Sequence, residues 1–336
     1  MSISVVLVVV AIASLSLTWA VRRYALAASV LDIPNARSSH TQPTPRGGGV
    51  AIVLSFLVAL PLLAWLAGLG WSAVWAMVGG GGLIALVGFL DDHGHIAARW
   101  RLLAHFSGAV WALAWLGGAA PFTVFGATFD LGWIGHGLAV FYLVWLLNLF
   151  NFMDGIDGIA GVEAVTTCAS GALLYAVLGR SDQALIPLLL AIASAGFLYW
   201  NFPPAKIFMG DAGSGFLGLM LGVLSLQAAW VSPQLFWAWL ILLAVFIVDA
   251  TWTLLRRLVR GDKVYEAHRS HAYQYAARLH GRHLPITLAV LVINLAWLLP
   301  LAVLVGKGVL DGVLGFALAS APLIYLAIRY HAGKQE

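Results

Sequence analysis

Charge is scarce in this chain. Of its 336 residues only 10% are Asp, Glu, Lys or Arg, whereas 62% are hydrophobic, and the mean hydropathy is +0.93. Soluble domains carry about 25% charged residues, so a soluble globular protein is excluded. The net charge of +4 sits in particular loops and implies no nucleic-acid partner. Cysteine is nearly absent too. Cys168 alone, in an apolar run, rules out disulfides within the chain and reads as a small core residue. Also missing are a P-loop, a dinucleotide fingerprint, a Ser-x-Gly nucleophile elbow and an inverted repeat of the transporter kind. The first apolar run, Ser4 to Val21, lacks a basic leader and a small-x-small cleavage site before Arg22-Arg23, so it reads as a first spanning helix.

What the chain has instead is long apolar runs. A spanning helix needs about 20 such residues. Eleven runs qualify: 3–21, 48–68, 72–90, 102–120, 133–150, 158–179, 184–200, 213–230, 235–255, 284–305 and 309–328. With the N-terminus outside, all of the 18 Lys and Arg except Arg180 and Lys307 fall in inside segments, as the positive-inside rule requires. The expectation is an all-α integral membrane protein, one polytopic domain over residues 1–336, with about 11 transmembrane helices. Its cytoplasmic segments are then 22–47, 91–101, 151–157, 201–212, 256–283 and 329–336.

The polar chemistry gathers in those inside segments. Asn151-Phe152-Met153-Asp154-Gly155-Ile156-Asp157-Gly158 places two acids and an amide within a few residues, on one face if the segment is helical. Ionisable groups kept at a membrane edge mark a site, because each costs ~2.5 kcal/mol or more in the bilayer. The first inside loop ends in Arg46 and three glycines, a helix start able to hold phosphate or simply a flexible turn. Asp91-Asp92 fits Mg²⁺ held with a substrate phosphate, or a solvated helix end. The two histidines beside them, His93 and His95, do not make a zinc site where Cys is lacking and hard carboxylates dominate. Gly210-Asp211-Ala212-Gly213-Ser214 offers a metal ligand in Asp211, a hydroxyl in Ser214 and free amides, or an N-cap aspartate. In 256–283, Arg256, Arg257 and Arg260 suit anionic headgroups, and His268-Arg269-Ser270-His271 suits a diphosphate. Asp249 and Glu163 lie inside runs, as structural or as functional groups.

In this order the motifs resemble those of the polyprenyl-phosphate N-acetylhexosamine-1-phosphate transferases, glycosyltransferase family 4. That family includes phospho-N-acetylmuramoyl-pentapeptide transferase and the initiators of O-antigen and enterobacterial common antigen. The match runs over nearly the whole chain: Asp91-Asp92, Asn151-x-x-Asp154-Gly155-x-Asp157-Gly158, Asn201 with Phe208-Met209-Gly210-Asp211-x-Gly213-Ser214, then His268 to His271. The resemblance implies transfer of a sugar 1-phosphate from a UDP-N-acetylhexosamine to undecaprenyl phosphate, releasing UMP, with Mg²⁺ or, in its place, Mn²⁺. It implies a multi-pass protein of the bacterial inner membrane with a periplasmic N-terminus and a cytoplasmic active site, and a homodimer. Asp211 is then the metal ligand, joined by Asp154. Asp91 and Asp92 are the lipid-phosphate and catalytic acids, with Asn151 and Asp154 at the same centre. Asp157 and Asn201 contact the nucleotide, Arg99 and Arg101 supply the bases after the acidic pair, and His105 replaces a common Gln. Two histidines, His268 and His271, with Arg269 between, stand for a cluster of three, as in the O-antigen initiators. Which imidazole matters, which sugar is carried, and whether lipid phosphate attacks directly or an aspartate forms a covalent intermediate stay open. The alternatives are the peptidoglycan enzyme and, in another class, an ion-coupled secondary transporter. Transporter sites lie near the bilayer midplane, whereas these acids cluster at helix ends.

Overall fold

The computed structural model describes residues 2–34, 39–40, 42–94, 96–262 and 268–334. Asn35 to Ser38, Thr41, His95 and Glu266-Ala267, which belong to the stretches above, lie outside them. The chain is helical and carries two small hairpins. In order it runs α1 (Ile3–Ala27), a hairpin of β1 (Leu31–Asp32) and β2 (Thr44–Pro45), then α2 (Gly49–Ala67), α3 (Trp71–His93) and α4 (Ala98–Trp115). A second hairpin, β3 (Phe122–Val124) with β4 (Ala127–Phe129), precedes α5 (Gly132–Met153), α6 (Ile159–Val177) and α7 (Leu185–Asn201). Next come α8 (Asp211–Val231), α9 (Pro233–Leu242), α10 (Ala244–Val259) and the short α11 (Ala272–His280). α12 (Leu284–Ile293) passes through a π-helical turn (Asn294–Leu298) into α13 (Leu299–Gly306), and α14 (Gly312–Arg329) closes the chain. Helices thus cover all eleven apolar runs. Among the described residues eight helices are long and apolar enough to cross a membrane, or up to nine if α9 and α10 form one span. The protein is an integral membrane protein.

α8 is the axis of the fold, buried from Ala212 to Leu226. Lipid tails are as apolar as leucine, so helices in a bilayer gain by close van der Waals approach, which small residues permit. Glycines do this on α8. A Cβ on Gly49 of α2 would lie 2.4 Å from the Gly213 Cα, and one on Gly218 would lie 2.6 Å from the Leu146 carbonyl oxygen of α5. One on Gly88 of α3 would lie 2.6 Å from the backbone of Asp211 and Ala212. Three helices are thereby seated against the N-terminal half of α8.

The ninth apolar run is not one straight helix. α9 and α10 meet at 73° about Leu243, which has φ −94° and ψ 2°. Neither proline nor glycine stands there; Leu243 is fully buried, and α9 packs against α13 and α14 while α10 packs against α14. The two intramembrane acids also find partners. Asp249 on α10 accepts the Ala272 and Tyr273 N–H groups at 3.0 Å each, capping α11. Glu163 on α6 accepts Asn294 Nδ2 at 2.7 Å, at the start of the π-helical turn.

Candidate active site

The stretch from Asn151 to Gly158 is not helical throughout. α5 ends at Met153, Asp154 caps it with φ −84° and ψ 55°, and α6 begins only at Ile159. Asn151, Asp154 and Asp157 therefore do not share a helix face; they are arranged around a helix end, and all three line one cleft. The turn closes through Gly158 at φ +75°, a left-handed conformation that glycine adopts freely. Its N–H donates to Asn201 Oδ1 at 3.0 Å, while Asn201 Nδ2 donates to the Ile207 carbonyl at 2.9 Å. Both polar ends of Asn201 are thus spent tying this turn to the 201–208 loop.

The N-terminus of α8 forms the opposite wall. Gly210, at φ +79°, precedes it, and a Cβ there would sit 2.6 Å from Asp92 Oδ2. Asp92, one helix away, accepts the Asp211 N–H at 3.2 Å and the Ala212 N–H at 3.3 Å. The cap of α8 is therefore Asp92, and Asp211 is left facing the cleft. Asp211 Oδ1 accepts Asn151 Nδ2 at 3.0 Å, and the same amide nitrogen donates to Ser214 Oγ at 2.9 Å. Arg46 donates to the Asp92 carbonyl. Arg101 pairs with Asp91 and stands 3.5 Å from Asp211, and the Ile96 N–H donates to Asp91 at 2.8 Å.

The cleft holds about 430 Å³. Eight of the residues singled out in the sequence line it: Arg46, Asp92, Asn151, Asp154, Asp157, Asn201, Asp211 and Ser214. Asp91 lines an adjoining pocket with Arg46, Asp92 and Asp211, and Arg101 stands 3.5 Å from Asp211. His268, Arg269 and His271 do not line the cleft. His271 is buried 3.4 Å from Asp249, its ring stacked on Tyr273, and His268 bonds Ser270 Oγ at 3.0 Å. Burial, then His271 and Arg257, push the His268 imidazole down to about 3, so it is neutral at pH 7.

Other residues take those places. His283, His40, Asp32, Ser39, Phe208 and Gln274 line the cleft. His283 was one of four histidines in its segment, and nothing local distinguished it. Its Nδ1 lies 3.0 Å from Asp157 Oδ1 and its Nε2 is 3.0 Å from the Ser39 carbonyl. Asp157 also accepts the Ala205 N–H at 3.0 Å, and Thr287 Oγ1 donates to its carbonyl at 2.7 Å. Burial acts to raise the Asp157 carboxyl, but His283 and the Ala205 N–H outweigh it and hold it below the usual range. Burial likewise acts to lower His283, and the Asp157 carboxylate outweighs it and raises the imidazole.

The pair makes stability depend on pH with a defined sign. The His283 contribution is complete below its ordinary value of 6.5 and is lost as pH rises through its raised one. The Asp157 contribution is present above 3.8 and is lost as pH falls through its depressed value. His283→Gln is expected to lower the melting temperature in detergent by roughly 2–4 °C at pH 6, the shift that about 1 kcal/mol gives a large domain. The gap should shrink as pH rises from 6.5 through the raised value and the imidazole loses its proton. A gap that widens toward pH 9 contradicts the ion pair.

Asp154 has the opposite surroundings. Its carboxylate accepts no hydrogen bond from any described residue, and burial together with Asp211, Asp92 and Asp157 pushes it up to about 7. Clustered acids of this kind call for a cation. Among the described residues no three His, Cys, Asp or Glu side chains form a ready-made metal cage. A Mg²⁺ ion would need only one or two carboxylates, with waters and substrate phosphates completing its shell. Asp211 and the unpartnered Asp154 are the oxygens available for it.

Comparison with known proteins gives the family. The model of glycosyl transferase family 4 matches residues 74–229, from α3 through α8. A probable undecaprenyl-phosphate N-acetylglucosaminyl 1-phosphate transferase of Bacillus subtilis is 31% identical over 291 residues, covering 84% of this chain and 78% of that protein. The decaprenyl-phosphate N-acetylglucosaminephosphotransferase of Mycolicibacterium smegmatis is 31% identical over 311 residues, 77% of this chain and 74% of its own. A phospho-N-acetylmuramoyl-pentapeptide-transferase of Streptococcus pneumoniae is 30% identical over 260 residues, 72% and 77% respectively. The chain belongs to glycosyl transferase family 4, the family its motifs resemble.

Proposed function

We propose that this protein transfers a sugar 1-phosphate of the N-acetylhexosamine type from its UDP ester to undecaprenyl phosphate, yielding the lipid diphosphate sugar and UMP. The observation that carries this is the convergence, on one cleft, of Asp92, Asp154, Asp157 and Asp211 with Arg46 and the N-terminus of α8. The names of the relatives supply the substrate class. All the cleft residues but Ser214, which sits in the first turn of α8, lie in segments that the Lys and Arg distribution assigns to the inside. That supports eleven spans, an outside N-terminus and a cytoplasmic site in the bacterial inner membrane. The shortened His268–His271 stretch supports a role at the start of O-antigen or a related envelope glycan.

One phosphoanhydride is broken as another forms, so the driving force needed is small and catalysis is mainly positioning and charge neutralisation. A phosphate monoester is already mostly dianionic at pH 7, so the lipid phosphate attacks the β-phosphorus in line with no obligatory base. Arg46, its guanidinium held by the Asp92 carbonyl, orients the phosphates. Asn151 holds Asp211 by its amide, and the Asp157–His283 pair braces the wall beyond. Asp211 and Asp154 would hold Mg²⁺, which when bound would supply the positive charge that the diphosphate needs.

The test is UMP release by the purified protein in detergent with undecaprenyl phosphate, Mg²⁺ and a panel of UDP-N-acetylhexosamines. Release should require both lipid and metal, stop with EDTA, and fall on the order of 10²–10³-fold in Asp211→Asn. The same preparation, sized in solution, checks the expected homodimer. Absence of turnover together with absence of UDP-sugar binding would sink the assignment.

A further inference from the structure

The His-Arg-Ser-His stretch does not reach the cleft, but the helix it introduces does. Asp249 caps the first amides of α11, and His271 packs beside that carboxylate. Tyr273 Oη donates to the Phe152 carbonyl at 3.0 Å and stands 2.2 Å from where a Cβ on Gly155 would lie. The start of α11 is therefore anchored on the turn that carries Asp154.

The next residue, Gln274, is only 7% exposed and lines the cleft. Its Oε1 accepts the His271 N–H at 3.2 Å. An N–H can be accepted only by the amide oxygen, so this bond settles which way the carboxamide points. Nε2 then lies on the other side, 3.1 Å from a Cβ position on Gly155, directly after Asp154. Its two N–H donors meet no acceptor among the described residues. The residue as a whole is more than nine-tenths buried, and the part left accessible opens on the cleft.

Its place in the cleft identifies what it meets. His40, Asp157, Phe208 and His283 are shared with a groove of about 510 Å³. Arg46, Asp92 and Asp211 are shared with the pocket that also contains Asp91. Gln274 lines neither; its Nε2 stands beside Gly155, which lies between Asp154 and Asp157 in the chain. We propose that Gln274 is a binding residue for the nucleotide sugar, its Nε2 donating to an oxygen of the transferred sugar 1-phosphate and not to the lipid phosphate. This rests on the transferase reading above. The His268–His271 stretch then acts through α11, by setting where that amide stands.

Two variants test it, assayed as the full chain with Mg²⁺, undecaprenyl phosphate and UDP-N-acetylglucosamine, or whichever panel member the wild type turns over. Gln274→Glu keeps an oxygen for the His271 N–H and loses the donors, whereas Gln274→Leu loses both. Both variants should raise the KM for the UDP-sugar by roughly 10–100-fold, the range for an unmade buried hydrogen bond. The KM for undecaprenyl phosphate should hold, and only Gln274→Leu should lower the melting temperature. Gln274→Glu at wild-type KM would show that the residue merely caps α11. A rise confined to Gln274→Glu would show a charge effect, and a rise in the lipid KM would assign the amide to the acceptor; each overturns the proposal. A wild type with no turnover and no UDP-sugar binding removes the transferase reading itself, and this proposal with it.

Discussion

Asp154→Asn is expected to cut UMP release by at least about 10²–10³-fold while leaving the protein as stable as the wild type or more so. The two readouts separate because Asp154 is placed for chemistry and makes no structural bond. Its carboxylate accepts nothing from the described residues and is buried among three other acids. Burial and that repulsion both disfavour the charged form, so a neutral amide relieves strain in metal-free protein. If Mg²⁺ binds as proposed, the same change removes one of the two carboxylates that would hold it, and lost electrostatic stabilisation of a transition state costs factors of this size. Asp92→Asn makes the contrast. Asp92 caps α8 through two backbone amides, so that variant should lose stability along with activity. Melting in EDTA, set beside turnover in saturating Mg²⁺, reads both quantities. An Asp154→Asn protein that melts well below the wild type would mean the carboxylate has a structural partner after all.

Gly88→Ala should lower UMP release by about 10²-fold through a single methyl group. A Cβ at Gly88 lies 2.6 Å from the Asp211 carbonyl carbon and oxygen and from the Ala212 nitrogen. Those are backbone atoms, which cannot rotate aside as a side chain can. α3 and α8 must separate by the better part of an ångström, and they carry Asp92 and Asp211 respectively. Displacements of that size at reacting groups cost about 10²-fold, and overpacking costs a further ~1–3 kcal/mol of stability. Gly82→Ala on the same helix is the control, because a Cβ there meets nothing within 4 Å. It should leave both activity and melting unchanged. Equal behaviour of the two variants would remove close approach of α3 and α8 as the reason for Gly88.

Much of this was legible without coordinates, for physical reasons that can be named. A bilayer demands long apolar runs and penalises charge within them, so helices stand over all the runs counted in the sequence, and the acids at their ends marked the cleft. Where the reading failed, the deciding contacts were distant in the chain. Periodicity put Asn151, Asp154 and Asp157 on one helix face, but the Gly158 N–H bonds Asn201 and the chain turns instead. Asp211 looked as much a cap as a ligand until Asp92, on another helix, took the cap. The paired spacing of His268 and His271 drew attention, whereas His283 has no local pattern and reaches the cleft because α12 docks beside Asp157.

The sequence by itself therefore determined the membrane class, the helical runs, the family and most of the polar groups that meet, since each follows from composition or from short spacings. Only the tertiary structure decided the bend at Leu243, which acid caps and which faces the cleft, and which histidine and which glutamine enter it. Those outcomes depend on how closely α2, α3 and α5 approach α8, and that distance is set by glycine contacts between residues far apart in the chain.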